Sequence, residues 1–540
     1  MADGLENSLT HQEEALLEPF VTSLDSPIFG LRNLPEVVKG ALFSRYSRSD
    51  KDLRRILLDE FIKAPEADFS RIVGGSTQDG EQIVAIQQAE AFYDRVLVGY
   101  GDDSVAELGG AHLACEGISN IAAKALEDSR LGISPLEKST RYVPFNRKVN
   151  GRYRYHREAS IMASSHASLY EATLDHLFET YTTLVEPLLA WVQSCTPKDA
   201  NTSDRAYYNA TRAKALDLLR GLLPMATLTN VGLFGNGRAF EYLLVKLAAS
   251  PHAEVHALGA SMQEALDQMI PSFVKRSKSE RGLQYARYLS TNRDRTQHLT
   301  QKRLATSALP PPSHVQLVEY DPDAEAKVIA AILYPHSDLA FEQLLIEATE
   351  LSVAEREEII QTYVGDRASR FHRPGRAFEE TYYTFDVLAD LGAYRDLHRH
   401  RVLTQERQRY TVRHGHMIPP ELEEAGLAEP YRNALEKAAE TTEWIAQDLP
   451  IASQYVVPFA YRVRWRMKLN LREVYHFVEL RSARQGHPTY RAIAQEMYRL
   501  IQHVHPTLVA SMHFVDMESY ALERLAAEQK IDLKLEQRQG

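Results

Sequence analysis

The chain carries the same short motifs twice, in the same order. Each set contains a glycine followed by a glutamate, then an Arg-Tyr pair, then an Asn-x-Arg. The first set is Gly101, Glu107, Arg141-Tyr142 and Asn236-Gly237-Arg238, and the second is Gly375, Glu379, Arg409-Tyr410 and Asn470-Leu471-Arg472. Because the motifs recur only once, at a spacing far longer than a solenoid repeat, the pattern indicates a duplicated domain.

Composition places the protein among ordinary globular chains. Its 540 residues are 44% hydrophobic and 25% charged, with a net charge of -11, which argues against a surface that serves nucleic acid as a whole. Only two cysteines are present, Cys115 and Cys195, as is common in a reducing cytosol. The acidic first residues do not resemble a secretory signal, and no apolar run has the length of a membrane span. We therefore expect a cytoplasmic location and no membrane partner.

Four segments follow from the pattern along the chain. Residues 1–29 are expected to be a flexible acidic tail, and residues 30–289 the first repeat. Residues 290–314 lack periodicity and end in three prolines, which is typical of a linker. Residues 315–540 then form the second repeat.

Hydrophobic periodicity predicts helices at 82–98, 323–333, 341–364, 427–448 and 490–504. Strands are predicted at Val315 to Tyr320 and at 462–469, where apolar and cationic side chains alternate strictly. One face of the second strand would enter a core, and its four cations would face water or hold an anion. The predicted fold class is α+β, with two tandem helix-rich domains that each contain a central antiparallel or mixed sheet.

The segment 395–416 is dense in cations. It holds six arginines and four histidines against only two acidic residues, Asp396 and Glu406. Guanidinium groups match phosphate oxygens in charge and geometry, so the segment favours an anionic ligand. A solvated basic face, or an ion-pair network at an oligomer interface, would give the same composition.

These motifs carry a family resemblance. Arg399-His400-Arg401, Arg409-Tyr410, Asn470-Leu471-Arg472 and Leu480-Arg481, with Glu137, Ser139 and Arg141-Tyr142 in the first copy, resemble the flavin-dependent thymidylate synthases. The resemblance implies an enzyme of dTMP biosynthesis, a methyltransferase that converts dUMP to dTMP. It also implies FAD as the cofactor and NADPH and methylenetetrahydrofolate as co-substrates.

The two copies depart from the family pattern in complementary ways. The first has Ser129-Arg130-Leu131 where RHR is expected but keeps the serine, Ser139. The second keeps RHR but has Arg409 in place of the serine. A composite site that joins Ser139 to Arg399 is therefore expected. Since the family assembles as tetramers with sites between subunits, a homodimer of tandem chains could mimic that assembly.

The resemblance also implies residue roles. The cofactor-binding residues are then Arg399, His400, Arg401, Glu406, Asn470 and Arg472. The substrate-binding residues are Glu137, Ser139, Arg141, Arg409 and Arg481, of which Ser139 and Arg481 are the catalytic pair.

Two other readings stay open. A non-catalytic nucleotide- or flavin-binding scaffold descended from the same fold could keep the motifs without the reaction. A metal hydrolase could use His252 and His256, one helical turn apart, although no third ligand is evident and no metal site is expected. Separately, a basic stretch at 275–295 with interleaved tyrosines could bind single-stranded nucleic acid, but the net charge favours a solvated helix or the flank of an anionic cofactor.

Overall fold

The computed structural model describes residues 9–47, 49–63, 105–141, 143–304 and 314–539. The chain forms two compact units. The first contains residues 1–118, 122–137 and 229–307, and the second contains residues 119–121, 138–228 and 308–540. The second unit thus takes residues 138–228 from the predicted first repeat and combines them with the predicted second repeat.

The first unit is built on a three-stranded sheet in the order β1-β3-β2, with β1 at Gly110–Ser119, β2 at Ile133–Glu137 and β3 at Leu228–Asn236. Strands β2 and β3 are antiparallel. Its helical segments are His11–Leu17, Glu36–Tyr46, Leu53–Ile56, Leu57–Ile62, Val105–Glu107, Asn120–Glu127, Gly237–Ala248, Ala253–Asp267, Pro271–Val274 and Glu280–Leu304.

The second unit is built on a four-stranded antiparallel sheet in the order β4-β5-β7-β6, with β4 at Val315–Tyr320, β5 at Tyr382–Asp390, β6 at Thr404–Arg407 and β7 at Arg462–Asn470. Its helical segments are Ala159–Met162, Ala167–Cys195, Asp204–Leu219, Arg220–Leu222, Ala324–Leu333, Tyr334–His336, Phe341–Glu350, Val353–Val364, Arg376–Glu379, Leu391–Leu397, Pro420–Glu424, Ala428–Asp448, Ala452–Tyr455, Leu471–Arg481, Pro488–Val504, Pro506–Val509 and Leu525–Gln539. The predicted α+β class is confirmed.

Both predicted strands are confirmed, and the two faces of β7 differ as the alternation of apolar and cationic residues predicts. Its apolar side chains, Val463, Trp465, Met467 and Leu469, are buried. On the other face Arg464 pairs with Asp386 at 2.9 Å and Lys468 pairs with Glu319 at 3.3 Å. The cationic row is therefore held in part by carboxylates of β5 and, one strand further, of β4.

The duplication is visible in the local structure. The order β1-β3-β2 of one sheet recurs as β5-β7-β6 in the other. In each copy an asparagine ends the middle strand and caps the following helix, with Asn236 Oδ1 accepting from Ala239 N at 2.8 Å and Asn470 Oδ1 accepting from Glu473 N at 2.9 Å. Such caps satisfy otherwise unpaired amides of the first helical turn. The Asn-x-Arg motif therefore has a structural role in both copies.

The two copies meet inside the second unit about a local pseudo-two-fold axis. The backbone N–H of Met225 donates to the carbonyl of Val457 at 2.9 Å, and the N–H of Phe459 donates to the carbonyl of Leu223 at 2.9 Å. Both pairs flank the equivalent prolines Pro224 and Pro458, which form an isolated antiparallel bridge. Reciprocal contacts of this kind are the mark of an isologous interface.

Helix packing extends the same contact. The helix Ala167–Cys195 lies against the helix Ala428–Asp448, and the buried hydroxyls of Thr173 and Thr441 are hydrogen-bonded at 2.8 Å. This packing explains why residues 138–228 belong to the second unit.

Several sequence expectations need correction. Residues 9–29 are not a flexible tail, because the helix His11–Leu17 and the buried Leu17, Phe20 and Val21 tie them to the first unit. The expected linker 290–314 is helical as far as Leu304, since its Arg, Gln, Lys and Leu residues are good helix formers without needing an apolar face.

The remaining helix predictions are largely confirmed, as the bounds above show. The helix predicted at 341–364 is two helices, because Ser352 starts a new one by accepting from Glu355 N. The helix predicted at 82–98 lies outside the described residues. No helix in the described segments is long and apolar enough to cross a membrane.

Candidate functional site

The RHR motif follows the helix Leu391–Leu397 and runs toward β6. Arg399 and Arg401 are exposed, whereas His400 between them is buried. Residues 398 and 399 form a turn at the end of that helix, and residues 400 and 401 connect it to the bend before β6. Two guanidinium groups therefore face outward, and one imidazole faces the interior of the second unit.

His400 lies at the centre of a buried hydrogen-bonded chain. Its Nδ1 is 2.8 Å from Oε1 of Glu473, and its Nε2 accepts from Nε of Arg481 at 2.8 Å. Because an arginine can only donate, Nε2 carries no proton and the ring proton lies on Nδ1. The motif histidine thus contacts Glu473 and Arg481 and does not point outward as a phosphate ligand would.

The surroundings shift the pKa values of these groups. Burial raises the pKa of Glu473 to about 7, against the opposing charges of Arg373 and Arg481. Burial and the charge of Arg481 hold the pKa of His400 well below its usual value. Burial and Arg373 lower the pKa of His476 to about 4. Both imidazoles are therefore neutral at neutral pH, while Glu473 titrates there.

Arg141 is tied to a buried carboxylate. Its Nε and Nη2 donate to Asp217 at 2.8 and 2.6 Å, respectively, and both residues are buried. Burial opposes ionisation of Asp217, but the charge of Arg141 outweighs it and lowers the pKa of Asp217. The planar fork that would bind a phosphate is thus occupied by an internal carboxylate.

Another ion pair, between Arg220 and Asp396, joins the first repeat to the second. Nη1 of Arg220, from the first repeat, donates to Oδ2 of Asp396, from the second, at 2.9 Å. Burial disfavours a charge on Asp396, yet Arg220, Arg141 and Arg399 hold its pKa well below the usual value. Arg481 also lies in the field of Asp396 and Arg399. Predicted site residues of both repeats, Arg141, Arg399 and Arg481, therefore share one electrostatic cluster.

A cavity of about 320 Å³ adjoins this cluster. Its walls come from both repeats and are partly apolar. The charged and titratable lining residues are Lys214, Asp217, Arg220, Asp390, Glu421, Tyr431 and His487. Burial and the charge of Arg220 lower the pKa of His487 to about 3, and burial raises that of Asp390. A partly enclosed space with a few convergent polar groups is the usual form of a small-molecule site.

Glu137 and Ser139, two predicted substrate-binding residues that are close in sequence, belong to different units. Ser139 is half-buried in the second unit, where its Oγ accepts from Arg141 N at 3.3 Å. Glu137, predicted to bind substrate, lies in the first unit with a fully buried side chain that pairs with Lys124 at 3.2 Å. The strand alternation turns Glu137 inward, and Lys124 neutralises it. Its carboxylate is therefore committed to the core of the first unit.

Four further predicted residues lie in the second unit. Glu406, on β6 opposite Arg466, and Arg409 are exposed. Asn470 caps its helix, and Arg472 pairs with Glu379 at 2.7 Å, as Arg238 pairs with Glu107 at 2.7 Å in the first unit. Asn470 and Arg472 are thus engaged in contacts that the first copy repeats, and their cofactor roles remain predictions.

The metal alternative gains no support at the predicted histidines. His252 precedes the helix Ala253–Asp267, and His256 lies in its first turn. Among the described residues, the group of three side chains close enough to share an ion is His400, Glu473 and His476, which does not include the predicted pair.

Sequence reasoning missed the acidic partners of the cluster. Asp217, Asp396 and Glu473 are remote from the groups they contact, so no local pattern marks them.

Comparison with known proteins decides the family. The family model described as thymidylate synthase complementing protein matches residues 62–272 and 316–507. The chain belongs to this family. The double match confirms the predicted tandem duplication.

Individual proteins are similar to the chain over different lengths. A UPF0159 protein of Chlamydia pneumoniae is 42% identical over 98% of this chain and 99% of its own length. A flavin-dependent thymidylate synthase of Geobacter sulfurreducens is 25% identical over 36% of this chain and 84% of its own length. A solved flavin-dependent thymidylate synthase of Helicobacter pylori, in complex with FAD and dUMP, is 20% identical, with a TM-score of 0.26 over 36% of this chain and 97% of its own.

Proposed function

We propose that the chain is an FAD-dependent enzyme that methylates dUMP to dTMP in the cytoplasm. In this reaction the methylene carbon of methylenetetrahydrofolate and a hydride from NADPH form the methyl group that replaces hydrogen at C5 of uracil. Tetrahydrofolate and NADP⁺ are the other products. Membership of the family and the similarity to the Geobacter enzyme support the proposal.

The ion pair between Arg220 and Asp396 at 2.9 Å carries the proposal. It brings the first repeat, which keeps Ser139, against the second repeat, which keeps RHR, within one compact unit. A site that uses Ser139 and Arg141 together with Arg399 and Arg481 is the composite that the complementary losses predict. We expect one such site per chain.

The donor set fits a flavin diphosphate. Arg399 and Arg401 are exposed on either side of the buried His400, and guanidinium groups form short, charge-assisted bonds to phosphate oxygens. FAD would carry the hydride from NADPH to the methylene carbon. In this proposal the two arginines hold the diphosphate, and His400 fixes the segment between them from inside.

The nucleotide would occupy the cavity beside Asp217 and Arg220. Ser139, Arg141 and Arg481 do not line the cavity itself, but Arg141 adjoins it through Asp217. Ser139 and Arg141 would therefore supply a hydroxyl and a guanidinium for a phosphate at the edge of the cavity, and Arg481 a donor for the pyrimidine. The partly apolar walls exclude water from the base. The pseudo-two-fold contact at Pro224 and Pro458 supports the further proposal that a homodimer of this chain mimics the tetramer of the single-domain enzymes.

One observation favours a second candidate, a non-catalytic nucleotide-binding scaffold. The fork of Arg141 is already filled by Asp217 at 2.6 to 2.8 Å. A dianionic phosphate would have to displace this carboxylate or bind around it, which lowers its affinity.

The experiment that separates the two is turnover under anaerobic conditions. The purified chain with FAD, NADPH, methylenetetrahydrofolate and dUMP is expected to yield dTMP, detected by mass spectrometry. Arg399→Ala and Ser139→Ala should each reduce the rate, whereas Arg376→Ala, an exposed arginine outside the cluster, should not. A chain that binds dUMP but forms no dTMP would support the scaffold instead.

A further inference from the structure

Glu473 makes an unusual contact for a residue at its position. Asn470 is the N-cap of the helix Leu471–Arg481, which makes Glu473 the third helical residue. A glutamate there commonly reaches back to the N-cap backbone, as Glu355 does toward Ser352 at 2.8 Å. Glu473 instead points its carboxylate to Nδ1 of His400 at 2.8 Å.

The contact is not required for this strand-helix corner. In the first unit Asn236 caps the equivalent helix in the same way, and the residues at the positions of Glu473 and Arg481 are Ala239 and Leu247. A buried carboxylate, imidazole and guanidinium are costly to desolvate. The second repeat thus adds a buried polar chain to a corner that the first repeat builds without it.

A metal ion does not account for the chain. His400, Glu473 and His476 are close enough to share one. However, Nε2 of His400 already accepts from Arg481, and the charges of Arg373 and Arg481 act on both Glu473 and His476. These cations would repel a metal ion.

We infer that Glu473 is a positioning residue that fixes His400 in its Nδ1–H tautomer, so that Nε2 holds the guanidinium of Arg481 facing the pyrimidine. A carboxylate that accepts a hydrogen bond from one imidazole nitrogen keeps the ring proton on that nitrogen. The other nitrogen of the neutral ring then stays unprotonated and can accept. With Nε2 kept as an acceptor, the Nε–H of Arg481 is held by His400, and Tyr490 also interacts with the same guanidinium. Only the contact with the pyrimidine depends on the proposed function.

The first arm of the test reads the tautomer directly in ligand-free protein. In ¹⁵N-histidine-labelled chain, the His400 signals are assigned by their loss in His400→Asn. We expect a protonated Nδ1 and an unprotonated Nε2 in the wild type and in Glu473→Gln, whose amide oxygen still accepts. In Arg481→Ala, where Glu473 alone can select the tautomer, the Nδ1–H form should persist, and in Glu473→Ala, where only the Arg481 bond remains, the preference for that form should weaken. An unchanged tautomer in Glu473→Ala would overturn the inference.

The second arm measures steady-state kinetics with dUMP. Glu473→Ala should raise KM for dUMP about tenfold, equivalent to about 1.4 kcal/mol, and Glu473→Gln should restore it. Glu355→Ala removes a glutamate at the same helical position and should leave KM unchanged. A wild-type KM in Glu473→Ala would overturn the inference. If the wild type shows no dUMP turnover, the proposed function fails. The tautomer measurement alone then tests whether Glu473 fixes the tautomer of His400.

Discussion

Pro224 and Pro458 occupy the same position in the two repeats and lie opposite each other in an antiparallel bridge. The backbone bonds on either side of them are reciprocal and equal in length, at 2.9 Å. The two repeats thus make, within one chain, a contact with the reciprocity of an isologous interface. Once the copies are covalently joined, each is free to lose a part of the site that the other supplies.

Gly221 lies so close to the second repeat that a larger side chain should not fit there. A Cβ on Gly221 would collide with Oη of Tyr431 and come within 3.0 Å of Ala460. Gly221→Ala should therefore lower the free energy of unfolding by about 1 to 3 kcal/mol, measured by urea denaturation. Gly232→Ala, which meets only one atom at 4.0 Å, is the matched control. Equal stability of the two variants would show that the copies are not closely packed at this point.

The ion pair between Arg141 and Asp217 predicts a gain in anion affinity. Asp217→Asn removes the internal charge that competes for the fork, so inorganic phosphate and dUMP should bind about tenfold more tightly by calorimetry. The variant should also be less stable, because a buried guanidinium loses its counter-charge. Asp532→Asn, which alters an exposed pair with Arg205, is the control. Unchanged affinity in Asp217→Asn would mean that Arg141 does not contact the phosphate.

The raised pKa of Glu473 predicts a pH dependence of stability. Its pKa is about 7 in the folded chain against an ordinary 4.5, so the folded state binds the proton more tightly. Stability should therefore fall as the pH rises from about 4.5 to 7, by about 3 kcal/mol from this group. The charged and titratable groups around it are Arg373, Arg472, Arg481, His400 and His476.

Glu473→Gln isolates this contribution, since the surrounding groups remain. Urea denaturation of both proteins across this pH range should show a stability difference that grows with pH in favour of the variant. A difference that is constant from pH 4.5 to 7 would contradict the raised pKa of Glu473.

The exposed Arg399 predicts a loss of flavin affinity. Arg399→Ala removes one of the charged donors proposed for the diphosphate, so the dissociation constant for FAD should rise by about 10- to 100-fold, measured by flavin fluorescence. Stability should fall only modestly, because the side chain is exposed and Asp396 keeps its direct partner Arg220. Arg376→Ala, also exposed, controls for general loss of positive charge. Wild-type FAD binding by Arg399→Ala would remove this residue from the site.

Patterns among neighbouring residues are sufficient to predict much of the fold and the arginines of the candidate site. Strands β4 and β7 were predicted because alternation along a strand is a property of neighbouring residues. RHR was found because its charges are consecutive in sequence. The acidic partners are different: Asp217, Asp396 and Glu473 lie 76, 176 and 73 residues from Arg141, Arg220 and His400. Their roles depend on tertiary contacts that no short pattern records.

The sequence also does not predict that the side chains of His400 and Glu137 are buried. Both were assigned to ligand binding by resemblance, and each is buried against an internal partner, Glu473 and Lys124. The polar character of a side chain predicts a hydrogen bond, but burial decides whether the partner is a ligand or the protein itself.

The number of flavins bound per chain tests the central claim most directly, because RHR and the serine each survive in only one repeat. The purified protein is incubated with FAD, freed of excess, and its flavin is released by heat and counted by absorbance against protein concentration. We predict one FAD per chain in the wild type and none in Arg399→Ala at low micromolar concentration. Two flavins per chain, or none in the wild type even with added FAD, would contradict a single composite site.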